Sequence, residues 1–282
     1  MIDLKGLKLN DGNTMPQLGL GLYKVSTQAE LTQVVKTAWE QGYRLFDSAQ
    51  MYQNEDMFGL AAQELNLPRE EYFLTTKIAE ENQGYDNTLR SFEKSLKDLQ
   101  VDYVDMLMVH WPLHQHFFET WKAFEYLKEQ GVVKSIGVSN YGVIHLQYLA
   151  TKAHIMPAVD QVENHPFLTQ DGLLEFNKTQ GIITQAWAPL GRARALDEPI
   201  LVELAQKYHK SAAQIVLRWH WQRGTAIIPK SVHAARIIEN AAIFDFELAQ
   251  VDMQKITDLN TFTRISQEPE QVYELGHQYP HH

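Results

Sequence analysis

The chain contains no cysteine. Disulfide scaffolds, thiol nucleophiles and cysteine-bound zinc are thereby excluded. It also lacks an excess of positive charge: 25 Lys and Arg against 35 Asp and Glu leave a formal net charge of −10. Nucleic acid needs clustered cations, so none is expected as a partner, although a few local cations suffice for an anionic small ligand. No apolar run is long enough to span a bilayer, so no membrane partner is expected either. The opening Met1-Ile2-Asp3-Leu4-Lys5 has no apolar signal-peptide core, and a cytoplasmic, monomeric protein is the expectation. Nothing resembling a linker, a low-complexity segment or a shift in composition divides the 282 residues. One domain over residues 1–282 is expected, and the closing His281-His282 carries no weight in the reading. A glycine-rich dinucleotide turn is missing too. Gly19-Leu20-Gly21 runs into Leu22-Tyr23-Lys24 with no third glycine, which argues against a doubly wound open sheet.

What is present reads as an ordinary globular composition, 44% hydrophobic and 21% charged, at a length that suits one large α/β barrel or two smaller domains. Leu7–Asn10, Asp11-Gly12 and Thr14–Pro16 have the form of a hairpin. Eight short apolar runs follow: 18–22, 43–46, 72–76, 105–109, 135–138, 158–162, 182–186 and 226–228. Helical stretches lie between them. Thr27-x-x-Glu30 and Ser211-x-x-Gln214 have the form of capping boxes. Leu89, Phe92, Leu96 and Leu99 share one helix face, as do Phe117, Trp121, Phe124 and Leu127. Gly42, Gly131 and Gly181 stand where helices should end. Eight unbroken βα units predict an α/β fold of the (β/α)8 TIM barrel type, with an N-terminal hairpin. The polar tail from about Thr261 predicts a loop over the active-site face.

Active sites of such barrels form at the carboxyl ends of the strands. Asp47 follows the second run, with Tyr52 five residues on; Lys77 follows the third and His110 the fourth. Ser139 and Asn140 follow the fifth, Gln161 and Asn164 end the sixth, Trp187 ends the seventh, and Lys230 and Ser231 follow the eighth. A tyrosine beside an ammonium can become a usable general acid, because the cation favours the phenolate and lowers the pKa. Lys77 would supply that ammonium, Asp47 would neutralise Lys77, and His110 would orient the group being protonated. Each residue taken alone reads as well as an ordinary rim residue; the four together do not.

The stretch Phe46-Asp47-Ser48-Ala49-Gln50-Met51-Tyr52-Gln53-Asn54-Glu55 resembles the signature of the aldo-keto reductases. Thr76-Lys77, Val109-His110-Trp111-Pro112, Gly137-Val138-Ser139-Asn140 and Ile228-Pro229-Lys230-Ser231 resemble it further, in the family's order, over most of the chain from Leu18 to Asn240. The resemblance implies reduction of small aldehydes and ketones with NADPH, bound without a Rossmann fold. It implies that Asp47, Tyr52, Lys77 and His110 form a catalytic tetrad, with Tyr52 the general acid. Ser139, Asn140 and Gln161 would hold the nicotinamide carboxamide, Trp187 would stack on the ring, and Leu190 would lie by the pyrophosphate. Lys230, Ser231, Val232, Arg236, Glu239 and Asn240 resemble the clamp for the adenosine 2′-phosphate, where a point charge, a guanidinium fork and a hydroxyl suit a phosphate. Tyr23, Met51, His110 and Trp111 would line the substrate pocket, and the Thr261–Tyr279 tail would be its lid. Gln50 is unusual before the acid and is expected on the pocket side with Met51.

Other readings attach to the same residues. Arg236 and Glu239 could pair with each other on a helix surface. His110-x-x-x-His114-x-His116 offers three imidazoles to a metal, but Trp111-Pro112 interrupts any regular spacing, and no metal is expected. A metal-dependent barrel hydrolase would want His and Asp on the first strand, which has neither. A non-catalytic member of the family would be expected to have lost Tyr52, Lys77 or His110.

Overall fold

The structure is a computed structural model, described here for residues 6–276. Strands β1 (Leu7–Lys8) and β2 (Thr14–Met15) form the antiparallel hairpin. Gly12 takes a φ of 91° at its tip, a conformation open to glycine at little cost. The eight apolar runs all become strands: β3 (Leu20–Gly21), β4 (Leu45–Asp47), β5 (Phe73–Ile78), β6 (Val104–Val109), β7 (Val133–Ser139), β8 (Val159–Glu163), β9 (Ile183–Trp187) and β10 (Ala226–Ile227). They pair in parallel in sequence order. A parallel bridge from Leu18 to Ile227 closes the sheet, with Gly19 N donating to Ile227 O at 2.8 Å. Closure leaves the eight-stranded sheet without an open edge.

The helices ring the barrel: α1 (Gln28–Glu40), α2 (Glu55–Glu64), α3 (Tyr85–Leu99), α4 (Phe117–Glu129), α5 (Val143–Ala150), α6 (Asp171–Thr179), α7 (Pro199–Tyr208), α8 (Ala212–Gln222), α9 (Ala234–Ala241) and α10 (Gln250–Thr257). The Ser211–Gln214 capping box forms in full, whereas at α1 only Thr27 accepts from Glu30 N. The tail departs from expectation. Pro269–Leu275 is a helix, α11, with Pro269 in its first turn, where a missing N–H costs nothing. Buried Val272 and half-buried Tyr273 anchor it, and Tyr273 packs on Phe117, His114 and His145. The Tyr279 end of the expected lid and His281-His282 lie outside the described residues. Among the described residues, no helix is long and apolar enough to cross a membrane.

Strand alternation makes two cores. Phe46, Leu74, Leu107, Val109, Val138 and Val162 point outward to the helices. Leu45, Phe73, Met106, Met108, Val159 and Ala226 fill the barrel, joined at its lower end by Leu9 and Met15 from the hairpin. Gly137 is required inside the barrel, since a Cβ there would lie 2.8 Å from Val159 O. Because side chains alternate with a period of two, the inward positions above this apolar plug include Asp47, Lys77, His110, Gln161 and Trp187. The same alternation that builds the core therefore lifts these residues onto its upper surface.

Candidate active site

Asp47 and Lys77 are wholly buried and joined Oδ2 to Nζ at 2.6 Å. Lys77 Nζ also donates to Ser48 O at 2.9 Å and to the Tyr52 hydroxyl at 3.3 Å. All three ammonium hydrogens thus have acceptors, which a buried charge requires. Asp47 Oδ1 accepts from Gln161 Nε2 at 2.8 Å, and Gln161 Nε2 also donates to Gln185 Oε1 at 2.7 Å. With its amide nitrogen committed, Gln161 has its carbonyl oxygen left to offer the cleft it lines. His110 is buried, and its ring meets Tyr52 edge-on with centroids 5.6 Å apart. Tyr23 lies 5.2 Å from the other side of Tyr52.

The electrostatics correct one expectation. Burial pushes the Tyr52 phenol well above its usual range, and the Asp47 carboxylate and Tyr23 push it the same way. Lys77 donates to the phenol oxygen, but its charge is answered at 2.6 Å by Asp47, and the net shift is upward. Burial pulls the Lys77 ammonium below its usual range, with Asp47 opposing. The consequence is a neutral phenol that accepts a hydrogen bond from Lys77 and keeps its own proton to give away.

The cleft above these groups measures about 610 Å³. It is lined by Tyr23, Met51, Tyr52, His110 and Trp111 near the tetrad, and by Ser139, Asn140, Gln161, Trp187 and Leu190 along its floor and wall. Asn140 sits at φ 61°. Its amide is spent within the wall: Nδ2 donates to His110 O and Ser139 Oγ, and Oδ1 accepts from Trp187 Nε1 at 2.8 Å. That last bond fixes the half-buried indole. Farther along, Lys230, Ser231, Arg236, Glu239 and Asn240 line the same cleft. Among the described residues no ion pair joins Arg236 to Glu239. Val232 instead packs against the outer core, away from the cleft lining.

Gln50 also departs from expectation. It turns away from the cleft and bonds to Ala79, Asn82 and Ser95; only Met51 of the pair lines the pocket. His114 and His116 lie on a short 3-10 turn after His110, with His114 against Tyr273. The polar lining residues Lys24, Arg192 and Ser266 escaped the sequence reading, as did Gln185, which accepts from Gln161 behind the lining. Gln185 carried a signal, since it shares the inward face of its strand with Trp187 two residues on. Lys24 and Ser266 lie on loops and Arg192 on the short 3-10 turn Gly191–Ala193, where strand alternation gives no guide.

A closed (β/α)8 barrel with a buried ion pair, a phenol and an imidazole beneath a single elongated cleft is the frame of a barrel enzyme. The chain belongs to the aldo/keto reductase family, whose sequence profile matches residues 17–261. It is 47% identical over 266 residues to the glyoxal reductase of Bacillus subtilis, covering 94% of this chain and 96% of that one. It is 43% identical over 268 residues to the methylglyoxal reductase DkgA of Yersinia pestis, covering 94% and 96%. Its fold superposes on an aldo-keto reductase of Bombyx mori, solved in complex with NADP, with a TM-score of 0.92 at 31% identity over 98% of this chain and 99% of that one.

Proposed function

We propose that this protein reduces small aldehydes and ketones to alcohols with NADPH, Tyr52 acting as the general acid. The observation that carries the reading is the Asp47–Lys77–Tyr52 chain, in which Lys77 Nζ donates to the phenol oxygen at 3.3 Å and Asp47 neutralises Lys77. A dinucleotide phosphate suits the residues present. The cleft has a flat indole at Trp187 near the tetrad, and Lys24, Lys230 and Arg236 line it without ion-pair partners among the described residues. The first turn of α9 has no side-chain cap, so its N–H groups can meet an anion. When bound, NADPH supplies the hydride.

The chain's own residues do the rest. His110 and Tyr52 hold the substrate carbonyl oxygen from two sides. Tyr52 transfers its proton to that oxygen as negative charge develops there, and Lys77 stabilises the phenolate left behind. Asp47 keeps Lys77 in place and charged. Gln161 offers its carbonyl oxygen to the nicotinamide carboxamide, Trp187 its face to the ring, and Lys230, Ser231 and Arg236 their donors to the 2′-phosphate. Tyr23, Met51 and Trp111 exclude water from the reacting groups.

The relatives named for glyoxal and methylglyoxal reduction make neutral dicarbonyls the first substrates to assay. A carbonyl panel followed by NADPH consumption tests the activity, and Tyr52→Phe in the same assay tests the acid. Loss of the proton donor is expected to lower turnover by roughly 10²–10⁴-fold. Wild-type turnover in that variant would refute the role.

A further inference from the structure

The turn that carries Tyr52 is a short 3-10 segment, Gln50–Tyr52, closed by Gln53 at φ 54°. Such segments have poor hydrogen-bond geometry and little stability of their own. Tyr52 itself is held mainly by soft contacts, with Tyr23, His110 and the Lys77 cation around its ring. The position of its hydroxyl is therefore set by whatever fixes the turn.

One anchor is on the Ser48 side. Ser48 Oγ donates to Asn54 Oδ1, and Asn54 Nδ2 donates to Leu22 O and Val25 O. The other is Gln50. Its Oε1 accepts from Ala79 N and Asn82 Nδ2, both at 2.9 Å, and its Nε2 donates to Ser95 Oγ at 3.0 Å. Ser95 Oγ donates onward to Glu55 Oε2 at 3.1 Å, and Glu55 Oε1 accepts from Thr76 Oγ1 at 2.6 Å. Every donor in this chain has an acceptor, and the directions agree. It begins two residues before Tyr52 and ends one residue before Lys77, so it ties the turn, the end of β5 and α3 into one unit. Its members Gln50, Glu55, Asn82 and Ser95 line a separate polar groove of about 590 Å³ between α2 and α3, outside the substrate cleft.

We propose that Gln50 is a positioning residue for the proton donor: through Ala79, Asn82 and the Ser95–Glu55–Thr76 chain it holds the Tyr52 turn in register with Lys77. This rests on the reading of Tyr52 as general acid. Gln50 touches neither substrate nor cofactor, and its effect is on where the phenol sits when the proton moves. Burial pushes the Glu55 carboxyl up to about 6, Asp98 adding to this and Thr76, Ser95 and Lys94 opposing. As a carboxylate it accepts from both hydroxyls, one at each oxygen.

The test compares Gln50→Leu, Gln50→Glu and Ser95→Ala with Tyr52→Phe, measuring kcat, KM, NADPH dissociation constant, melting temperature and the solvent deuterium isotope effect on kcat. Small misplacements of a reacting group are costly, so Gln50→Leu is expected to lower kcat roughly ten- to a hundredfold. KM and NADPH binding should stay within about twofold, and the isotope effect should rise as proton transfer becomes slower than other steps. Gln50→Glu keeps both acceptor bonds, to Ala79 and Asn82, and is expected to recover most of the loss. Ser95→Ala, which removes the Gln50 Nε2 acceptor and the onward bond to Glu55 but leaves the Ala79 and Asn82 bonds, should cost less than Gln50→Leu, about threefold to tenfold. Wild-type kcat in Gln50→Leu, or a loss shared equally by kcat, KM, cofactor binding and melting temperature with no recovery in Gln50→Glu, overturns the proposal. If Tyr52→Phe is inactive in that case, the general-acid reading stands and Gln50 alone is misassigned. If Tyr52→Phe keeps its turnover, both fall.

Discussion

At the tetrad end of the cleft the charges are buried and already answered. Asp47 meets Lys77 at 2.6 Å, Gln161 takes the other carboxylate oxygen, and Ser48 and Tyr52 take the remaining ammonium hydrogens. At the far end Lys24, Lys230 and Arg236 are exposed and have no ion-pair partners among the described residues. The difference separates two tasks. In a dry, fully bonded site little has to reorganise when a proton moves, which favours chemistry. Exposed cations keep their capacity for an incoming anion, which favours binding, at the cost of screening by salt. Burial pulls Lys230 below the usual lysine range, Lys24 pulls the same way and Glu30 opposes. Two neighbouring cations are thus held close together in an acidic protein, ready for a phosphate.

The strongest way to break this comparison is to unpair the buried end. Lys77→Met strands the Asp47 carboxylate in the barrel, which should cost about 3–5 kcal/mol of stability and abolish turnover. Adding Asp47→Asn should restore much of the stability and none of the activity. Chemical denaturation alongside the reductase assay separates the two effects. Full stability in Lys77→Met alone would show that the pair is not desolvated as the structure has it.

The exposed end should respond more mildly and differently. Arg236→Ala removes the guanidinium proposed to meet the 2′-phosphate, and for an exposed group the loss of NADPH affinity should be near the lower end, about tenfold. NADH binding should be almost unchanged. Added salt should weaken NADPH binding to the wild type more than NADH binding, because only the former carries the extra phosphate. Quenching of tryptophan fluorescence, with Trp187 in the cleft, reads both constants. Equal weakening of the two cofactors would make Arg236 structural.

The barrel, and the meeting of Asp47, Lys77 and His110 on one rim, were legible in the sequence because both follow from one pattern. Eight apolar runs separated by helices define a closed parallel sheet, and the polar residue ending each run must rise above the plug. Asp47, Lys77 and His110 are found this way. Partners are not legible, because alternation tells which face a side chain occupies and not what it meets. Gln185 was therefore missed behind Gln161, and Gln50, one residue from Met51, was placed on the wrong side of its turn. The direction of the Tyr52 shift was misjudged for a related reason. The nearby ammonium is visible in the sequence, and its cancellation by Asp47 together with the burial of the phenol is a fact of packing. Helix α11 was missed because seven residues with only Pro269, Val272 and Tyr273 turned inward carry too little periodicity.

A smaller effect sharpens what pairing does for a buried carboxylate. Asp160 is buried, and among the described residues no lysine or arginine forms an ion pair with it. It accepts from Asn177 Nδ2 at 3.2 Å, and burial pushes its carboxyl up to about 8 despite Asn177 and the Tyr141 backbone. A carboxyl with a folded pKa above its unfolded value binds its proton more tightly in the native state. Its contribution is therefore favourable below about pH 4 and is lost as pH rises toward 8. Asp160→Asn should raise the melting temperature more at pH 8 than at pH 5, because the cost of the buried carboxyl grows through that window. An equal change at both values would place the ionisation outside that window.

The division of labour along the cleft is tested most directly by measuring kcat and the NADPH dissociation constant together for Tyr52→Phe and Arg236→Ala. Tyr52→Phe should lose roughly 10²–10⁴-fold in kcat while binding NADPH within about twofold of the wild type. Arg236→Ala should bind NADPH about tenfold more weakly while keeping its kcat at saturating cofactor. If each variant lost affinity and turnover in the same proportion, the two ends would not be separate devices and the account would be wrong.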